Sequence, residues 1–460
     1  MALEDSSDDE YWGSYTTAPQ ERFTIPQLTQ PCRPERPWLD QRDSENLAEG
    51  GLPEKEVWGG SSLSTTCSQD ATEMQADAVI SVENRTFTLH DLLGFGSFGS
   101  VWRASCIASG KIVALKEVRS SSHDATEAAM LEAQRLRALR NVIEEDDTAC
   151  AALPFLLCAG TVVTSTDHRT LLVMEHIPGA PLQQALEAGQ LCAGRMHPLA
   201  QAFRVAGQML SQISAAMFHV SKCFFHRDAN PHNIMVQVMT GKFRFGLIDF
   251  GLAVDSAQWS AGGWRTAGAA GDGRFWTESS WLLFSHGSEA LAIAEDLQSE
   301  YACMIDLHSA GLSVLQTLLV LAFGEEGSLV ATMWKEEAEV FLALESLVNV
   351  WKQYWRYASD KWQEVLDAFN QDARADVKSK LAQELAHSVF GAYFHRLRAA
   401  LEQVLASLKS FCANPGGSCQ LGSADLALRV IEALLLMISA GRPRRGRAGW
   451  KEVKELFAEV

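Results

Sequence analysis

The spacing of apolar residues changes near Arg85. Before it, Ser, Thr, Gln, Pro and acidic residues follow one another with no sustained period of 2 or 3.6, so residues 1–84 read as a flexible tail. After it come short alternating or β-branched runs at 86–92, 101–104, 112–118 and 171–175, which predict strands of one sheet. Between them, residues 125–139 place Met130, Leu131, Leu136 and Leu139 at helical spacing among Glu and Arg. One helix therefore interrupts the sheet. Beyond Gly179 the pattern is mainly helical, with short strands near Ile234 and Leu247. The pattern predicts an α+β chain of two lobes: a small sheet-rich one over 85–178 and a large helical one over 179–460.

Composition narrows the class. With 460 residues, 47% hydrophobic and 21% charged, the chain can bury a sizeable core. The net charge of −18 is uneven, because the first 83 residues hold 17 acidic against 5 basic side chains. That balance argues against binding bulk nucleic acid or an anionic membrane surface, which call for clustered Lys and Arg. The one basic run, 442–447, is short. Ten cysteines lie without a CxxC pair or a His-rich spacing and read as reduced thiols. The start lacks the basic and apolar regions of a signal peptide. The best apolar run, 307–323, contains His308, Ser309 and Gln316, so it reads as a buried core helix. The expected compartment is intracellular, reducing and cytoplasmic.

Chemistry concentrates in three places. Leu92-Leu93-Gly94-Phe95-Gly96-Ser97-Phe98-Gly99-Ser100-Val101 fits G-x-G-x-x-G-x-V between two predicted strands. Glycine lets a backbone approach phosphate oxygens closely, although such glycine hairpins are common. Next, Val113-Ala114-Leu115-Lys116 puts a lysine inside an apolar strand, where an ammonium is costly unless it meets an anion such as phosphate. The following helix offers Glu127 and Glu132 as the carboxylate to hold that lysine. Glu132 is favoured because Leu136 and Leu139 share its face. Last, His226-Arg227-Asp228-Ala229-Asn230-Pro231-His232-Asn233 and Leu247-Ile248-Asp249-Phe250-Gly251 set polar side chains among apolar runs. Asp228 can accept a hydroxyl proton, while Asn233 and Asp249 offer hard oxygen ligands suited to magnesium.

Taken in order, the glycine loop, V-A-L-K, H-R-D-x-x-x-x-N and D-F-G resemble the signature of eukaryotic-type protein kinases. Met174-Glu175-His176-Ile177 is similar to that family's gatekeeper and hinge. Asp306-Leu307-His308-Ser309-Ala310-Gly311 is similar to the start of the central helix of its large lobe. The resemblance implies an ATP- and Mg2+-dependent kinase acting on a hydroxyl of a protein substrate, with serine or threonine favoured. By the same resemblance Gly94, Gly96 and Gly99 would cover the nucleotide, and Lys116, held by Glu132, would bind its phosphates. Asp228 would be the base, with Asn233 and Asp249 holding magnesium. Val101, Ala114 and Met235 would sandwich adenine, and the backbone of Glu175 and Ile177 would bond its edge.

Several positions depart from the family. Asn230 stands where most serine/threonine kinases carry lysine, and His232 where tyrosine kinases carry arginine. The stretch 271–279 resembles G-T-x-x-Y-x-A-P-E, with Asp272 for the threonine and Ser279 for the glutamate. Arg274 is a candidate for the missing charge. Arg447 is a candidate partner for the 279 end, which otherwise needs a substitute tether or is loose. Arg227 is expected to receive a phosphate, with Thr266 favoured, or to pair with a carboxylate such as Asp272. About a hundred residues, 323–423, exceed what the family needs. Phe341, Leu344, Val348, Trp351, Trp355, Trp362, Val365, Leu366 and Phe369 recur there at 3 to 4 residue spacing. Such a stripe predicts packing on the large lobe, with docking of a partner protein as the alternative. A weakly catalytic scaffold and a small-molecule kinase are the alternative functions.

Overall fold

The computed structural model describes residues 74–96, 99–120, 123–143, 146–163, 168–192, 197–323, 338–370, 374–384, 389–413, 423–438 and 446–458. Strands β1 (Val79–Val82), β2 (Arg85–Gly96), β3 (Gly99–Cys106), β4 (Ile112–Ser120), β5 (Leu156–Val163) and β6 (His168–Glu175) form an antiparallel sheet in the order β1-β2-β3-β4-β6-β5. Residues of β4 from Val113 to Val118 are all buried, because both faces of this inner strand are covered. Val113 and Leu115 join Phe87, Leu89, Leu171 and Val173 on one side. On the other side Ala114 and Val118 pack in one cluster with helix α1 (His123–Val142), which turns Ala129, Ala133, Leu136 and Leu139 inward. The strict inward spacing of α1 also buries Glu132 and leaves Glu127 exposed. A short α2 (Asp147–Ala151) follows, its first turn capped by the Asp146 carboxylate.

Strands β1 and β5 are additional to those read from the sequence. The first corrects the expected tail boundary, since β1 lies within residues 1–84 and pairs along its length with β2. Its four residues, Val-Ile-Ser-Val, are too few to stand out from a polar surrounding, and only pairing makes them a strand. Residues 1–73 of the expected tail lie outside the described residues.

The large lobe begins with β7 (Ala180–Pro181), α3 (Leu182–Glu187) and α4 (Pro198–Val220), followed by β8 (Phe224–Phe225). The hairpin of β9 (Ile234–Met239) and β10 (Lys242–Leu247) pairs with β7, and β11 (Val254–Asp255) pairs with β8. Helices α5 (Ser256–Gln258), α6 (Trp264–Ala267), α7 (Glu278–Ile293) and α8 (Glu295–Cys303) lead to α9 (Ile305–Phe323). By length and composition α9 is long and apolar enough to cross a membrane, but 94% of that window is buried inside the protein. Buried on every side, with its polar residues buried as well, it is the axle of the lobe.

The extra stretch is helical: α10 (Ala338–Asn370), α11 (Arg374–Glu384) and α12 (Val389–Ala413), before α13 (Ala424–Met437) and α14 (Gly446–Leu456). Leu344, Val348, Trp351, Trp355, Trp362 and Val365 are buried in the same core cluster as α9. Phe341, Leu366 and Phe369 are half-buried. The stripe is therefore packing surface. A partner protein docked on it, the alternative raised by its sequence, would find these rings already covered. The whole is the bilobal α+β arrangement expected from the pattern.

Candidate active site

Lys116 sits 5% exposed on β4, facing α1 and the start of the segment after β10. Its Nζ donates to both oxygens of Glu132 at 2.9 Å and to Asp249 Oδ1 at 2.9 Å. Burial works against the ammonium, but Asp249 and Glu132 outweigh it and hold its pKa above the usual lysine value. Burial likewise pushes Asp249 up, and Lys116 overcomes that and leaves its carboxyl below the ordinary range. One charged lysine thus joins the two lobes.

Asp228 lies beyond β8 and is held by three donors. Asn230 Nδ2 reaches Oδ1 at 2.6 Å, Asn233 Nδ2 reaches Oδ2 at 2.7 Å, and the Asp272 N–H reaches Oδ1 at 3.1 Å. Burial and then the Asp272 charge push the Asp228 carboxyl up to about 7. The loop carrying it is pinned from below, where His226 and Arg227 donate their N–H groups to Asp306 at 2.7 and 2.6 Å. The His226 ring meets Phe250 edge-on at 4.8 Å and Nε2 lies 3.1 Å from the Ile248 carbonyl. Burial lowers the His226 pKa to about 4, so the ring is neutral near pH 7. Arg227 and Asp249 both adopt positive φ, 69° and 64°, a strained backbone for non-glycine residues that this packing enforces.

Ile248 donates its N–H to the Asn233 carbonyl at 2.9 Å, which brings the residues before Asp249 against the Asp228 loop. Gly94 pairs with Val101 and Gly96 with Gly99 across the glycine turn, whose residues 97–98 lie outside the described residues. Val101 and Ala114 share a core cluster, whereas Met235, half-buried on β9, is not part of it. Glu175 uses its N–H on the Phe155 carbonyl at 2.9 Å and its carboxylate on Lys111 at 2.7 Å. Ile177 is buried against Gly246, where a Cβ would lie 2.6 Å from its Cγ2.

A buried lysine shared by two carboxylates, facing a carboxylate held by two amides, is equipment for placing a polyphosphate against a hydroxyl. Residues 87–272 match the protein kinase domain family. The chain carries a eukaryotic-type protein kinase domain. Over 221 residues it is 28% identical to cyclin-dependent kinase 4 of Xenopus laevis, covering 48% of this chain and 59% of that one. The serine/threonine-protein kinase pkn2 of Myxococcus xanthus is 29% identical over 162 residues, 35% of this chain and 17% of the relative. The inhibitor of nuclear factor kappa-B kinase subunit alpha of Xenopus tropicalis is 29% identical over 175 residues, 37% of this chain and 22% of the relative. The chain thus spans less than two thirds of each of these relatives.

The kinase domain departs from sequence expectation in its activation segment. Arg274 does not fill the place of a lysine at 230. It lies 5.4 Å from the Trp355 ring and is spent on Asp272, with Nε 3.0 Å from Oδ1 and Nη2 2.5 Å from Oδ2. Arg227 does not pair with Asp272. Its Nη2 donates to the carbonyls of Ala267 (3.1 Å) and Gly268 (2.5 Å), and its guanidinium lies 5.2 Å from the Trp259 ring. Tyr301, from α8, donates to the same Gly268 carbonyl at 2.8 Å. Thr266 is exposed and donates to the Gly263 carbonyl. At the far end Ser279 is buried, and its N–H donates to the buried carboxylate of Glu300 at 2.9 Å. That bond is a tether from α8, whereas the Arg447 side chain lies outside the described residues. Trp259, Glu300, Tyr301 and Tyr354 sit in no motif that marks them in the sequence. The one available signal was Trp259 and Trp264, large apolar residues in an otherwise Gly/Ala-rich segment, which announce an anchored loop.

Proposed function

We propose that the chain transfers the γ-phosphoryl group of ATP to a serine or threonine hydroxyl of a protein substrate, with magnesium. The observation that carries this reading is Lys116 held between Glu132 and Asp249 while the Asp228 carboxylate is fixed by Asn230 and Asn233. In this reading Lys116 binds phosphate oxygens and Asp228 orients the acceptor hydroxyl and takes its proton. The name of pkn2 supports serine/threonine over tyrosine.

The donor set fits magnesium. Asn233 commits its amide nitrogen to Asp228 and so keeps its amide oxygen for a cation, and Asp249 uses Oδ1 for Lys116 and the Gly251 N–H. Among the described residues no group of three or more His, Cys, Asp or Glu gathers as a metal centre. A cation would therefore rest on Asn233, Asp249 and the phosphate oxygens of its substrate, as hard cations with few protein ligands do. When bound, magnesium supplies charge neutralisation on the phosphates. Lys116 and the Asn233 and Asp249 oxygens position the nucleotide, and Asp228 holds the proton at its carboxylate.

Purified chain incubated with magnesium-ATP and casein, read by phosphoamino-acid analysis, tests the reading. Phosphoserine or phosphothreonine is expected. Asp249→Asn should lower turnover at least ~10²-fold with little change in Tm. Phosphotyrosine, or an Asp249→Asn variant with wild-type turnover, would contradict it.

A further inference from the structure

The turn Gly271-Asp272-Gly273 is pressed from both sides. A Cβ on Gly271 would lie 2.5 Å from the Arg227 carbonyl oxygen and 2.6 Å from Asp228 Oδ1. On the other side, a Cβ on Gly273 would lie 2.5 Å from Cε3 of Trp362, on α10. The turn is therefore a single backbone thickness between the catalytic loop and the helical insertion. Only glycine permits that approach at both faces. The same helix fixes the next residue, since the buried Tyr354 hydroxyl donates to the Arg274 carbonyl at 2.5 Å and Trp355 lies against the guanidinium. Burial raises the Tyr354 pKa, so the phenol keeps the proton it donates. From this fixed turn the Asp272 N–H donates to Asp228.

We propose that the insertion, through Tyr354 and Trp362 on α10, positions Asp228 for phosphoryl transfer. This rests on the proposed kinase activity and adds to it a chain of contacts that starts outside the kinase motifs, on α10, and runs through the 271–274 turn to the base. It accounts for how Asp228 is held with Asn230 in the place of a lysine and Asp272 in the place of a threonine. Two amides and one backbone N–H carry the carboxylate, and the backbone donor is only as well placed as the helix behind it. Tyr354 and Trp362 touch neither nucleotide nor acceptor in this scheme, so they are positioning residues. Loss of either should misplace the base while leaving the ATP site untouched.

Steady-state phosphorylation of casein by the full chain separates the outcomes. Tyr354→Phe should lower kcat by roughly tenfold or more, with KM for ATP within about twofold and Tm within a few degrees. Gly273→Ala should lower kcat in the same way, and Trp362→Leu in the same chain should restore part of it by making room for the new methyl group. Leu342→Ala, at an exposed position of the same helix, should leave kcat unchanged. A Tyr354→Phe variant with wild-type kcat overturns the proposal. So does a kcat loss that tracks the folded fraction, or a Gly273→Ala defect that Trp362→Leu deepens. A wild type that phosphorylates neither casein nor itself overturns the kinase reading beneath it.

Discussion

Position 99 needs glycine for two reasons at once: its φ is +143°, and a Cβ there would lie 1.8 Å from the Glu117 carbonyl oxygen on the neighbouring strand. Position 94 carries neither constraint, since nothing lies within 4 Å of where a Cβ would stand and its φ is ordinary. Gly99→Ala should therefore destabilise the fold by about 2–4 kcal/mol. Gly94→Ala should stay within about 0.5 kcal/mol and act only on KM for ATP. Urea denaturation beside ATP kinetics distinguishes the two, and equal stability losses would show that the loop tolerates or rejects both alike. Lys116 obeys the same logic of neighbours. Lys116→Met should abolish transfer and also lower Tm, because Glu132, 3% exposed, would be left without its cation. A Lys116→Met variant as stable as Asp249→Asn would show that Glu132 finds another partner. At this scale the sequence was a good guide where burial dictates chemistry: a lysine within an apolar strand announces an anion. It was a poor guide for Arg274, whose partner proved to be Asp272, two residues away.

Among the elements, the activation segment behaves differently from its sequence. Its sequence, rich in Gly and Ala between 261 and 273, left open whether Arg227 receives a phosphate or pairs with a carboxylate. In the structure Trp259 and Trp264 are buried against Tyr301, and Arg227 bonds the 267–268 carbonyls. The cation that would receive a phosphate already has its acceptors, so Thr266→Ala and phosphatase treatment should each leave activity within about twofold. Tyr301→Phe, which removes the bond to Gly268, should lower activity severalfold and speed amide exchange across 264–270. Activity that disappears on phosphatase treatment and returns on rephosphorylation of Thr266 would refute this account. Helix α1 shows the opposite case. Its period alone placed Glu132 inward and Glu127 outward, because an amphipathic helix has only one face to bury.

Across the whole molecule, the insertion and the central helix share one core. His308 of α9 is fully buried with its ring 4.5 Å from Phe394 of α12, and burial lowers its pKa to about 3. A histidine whose pKa is depressed on folding contributes stability above its unfolded value of about 6.5, and that contribution is lost as pH falls toward the folded value. Between pH 7 and pH 5 the His308 share of this loss is about 2 kcal/mol. Other titrating groups act equally in wild type and in His308→Leu, so the difference between their urea midpoints isolates the effect. The wild type should lose more stability on acidification than the variant. Parallel changes in the two would mean that His308 is protonated in the folded protein without penalty.

Periodicity, a local property of the chain, determined much on its own: a sheet followed by helices, the inward face of α1 with Glu132 on it, the core character of α9, and Lys116 inside an apolar strand. Each of these follows from which side of one element is apolar, whereas Asp228, Asn233 and Asp249, which lie in loops, stood out only through the motifs they resemble. The partners of Arg227, lying 40 and 41 residues away, and of Tyr354, 80 residues away, were decided only by tertiary structure. A long side chain or a phenol can satisfy many acceptors, and which one it meets depends on the packing of elements that no local period encodes. For the same reason the aromatic stripe of α10 was legible as a buried face, whereas the turn it buries, and through that turn its link to Asp228, was decided only by where the helix packs.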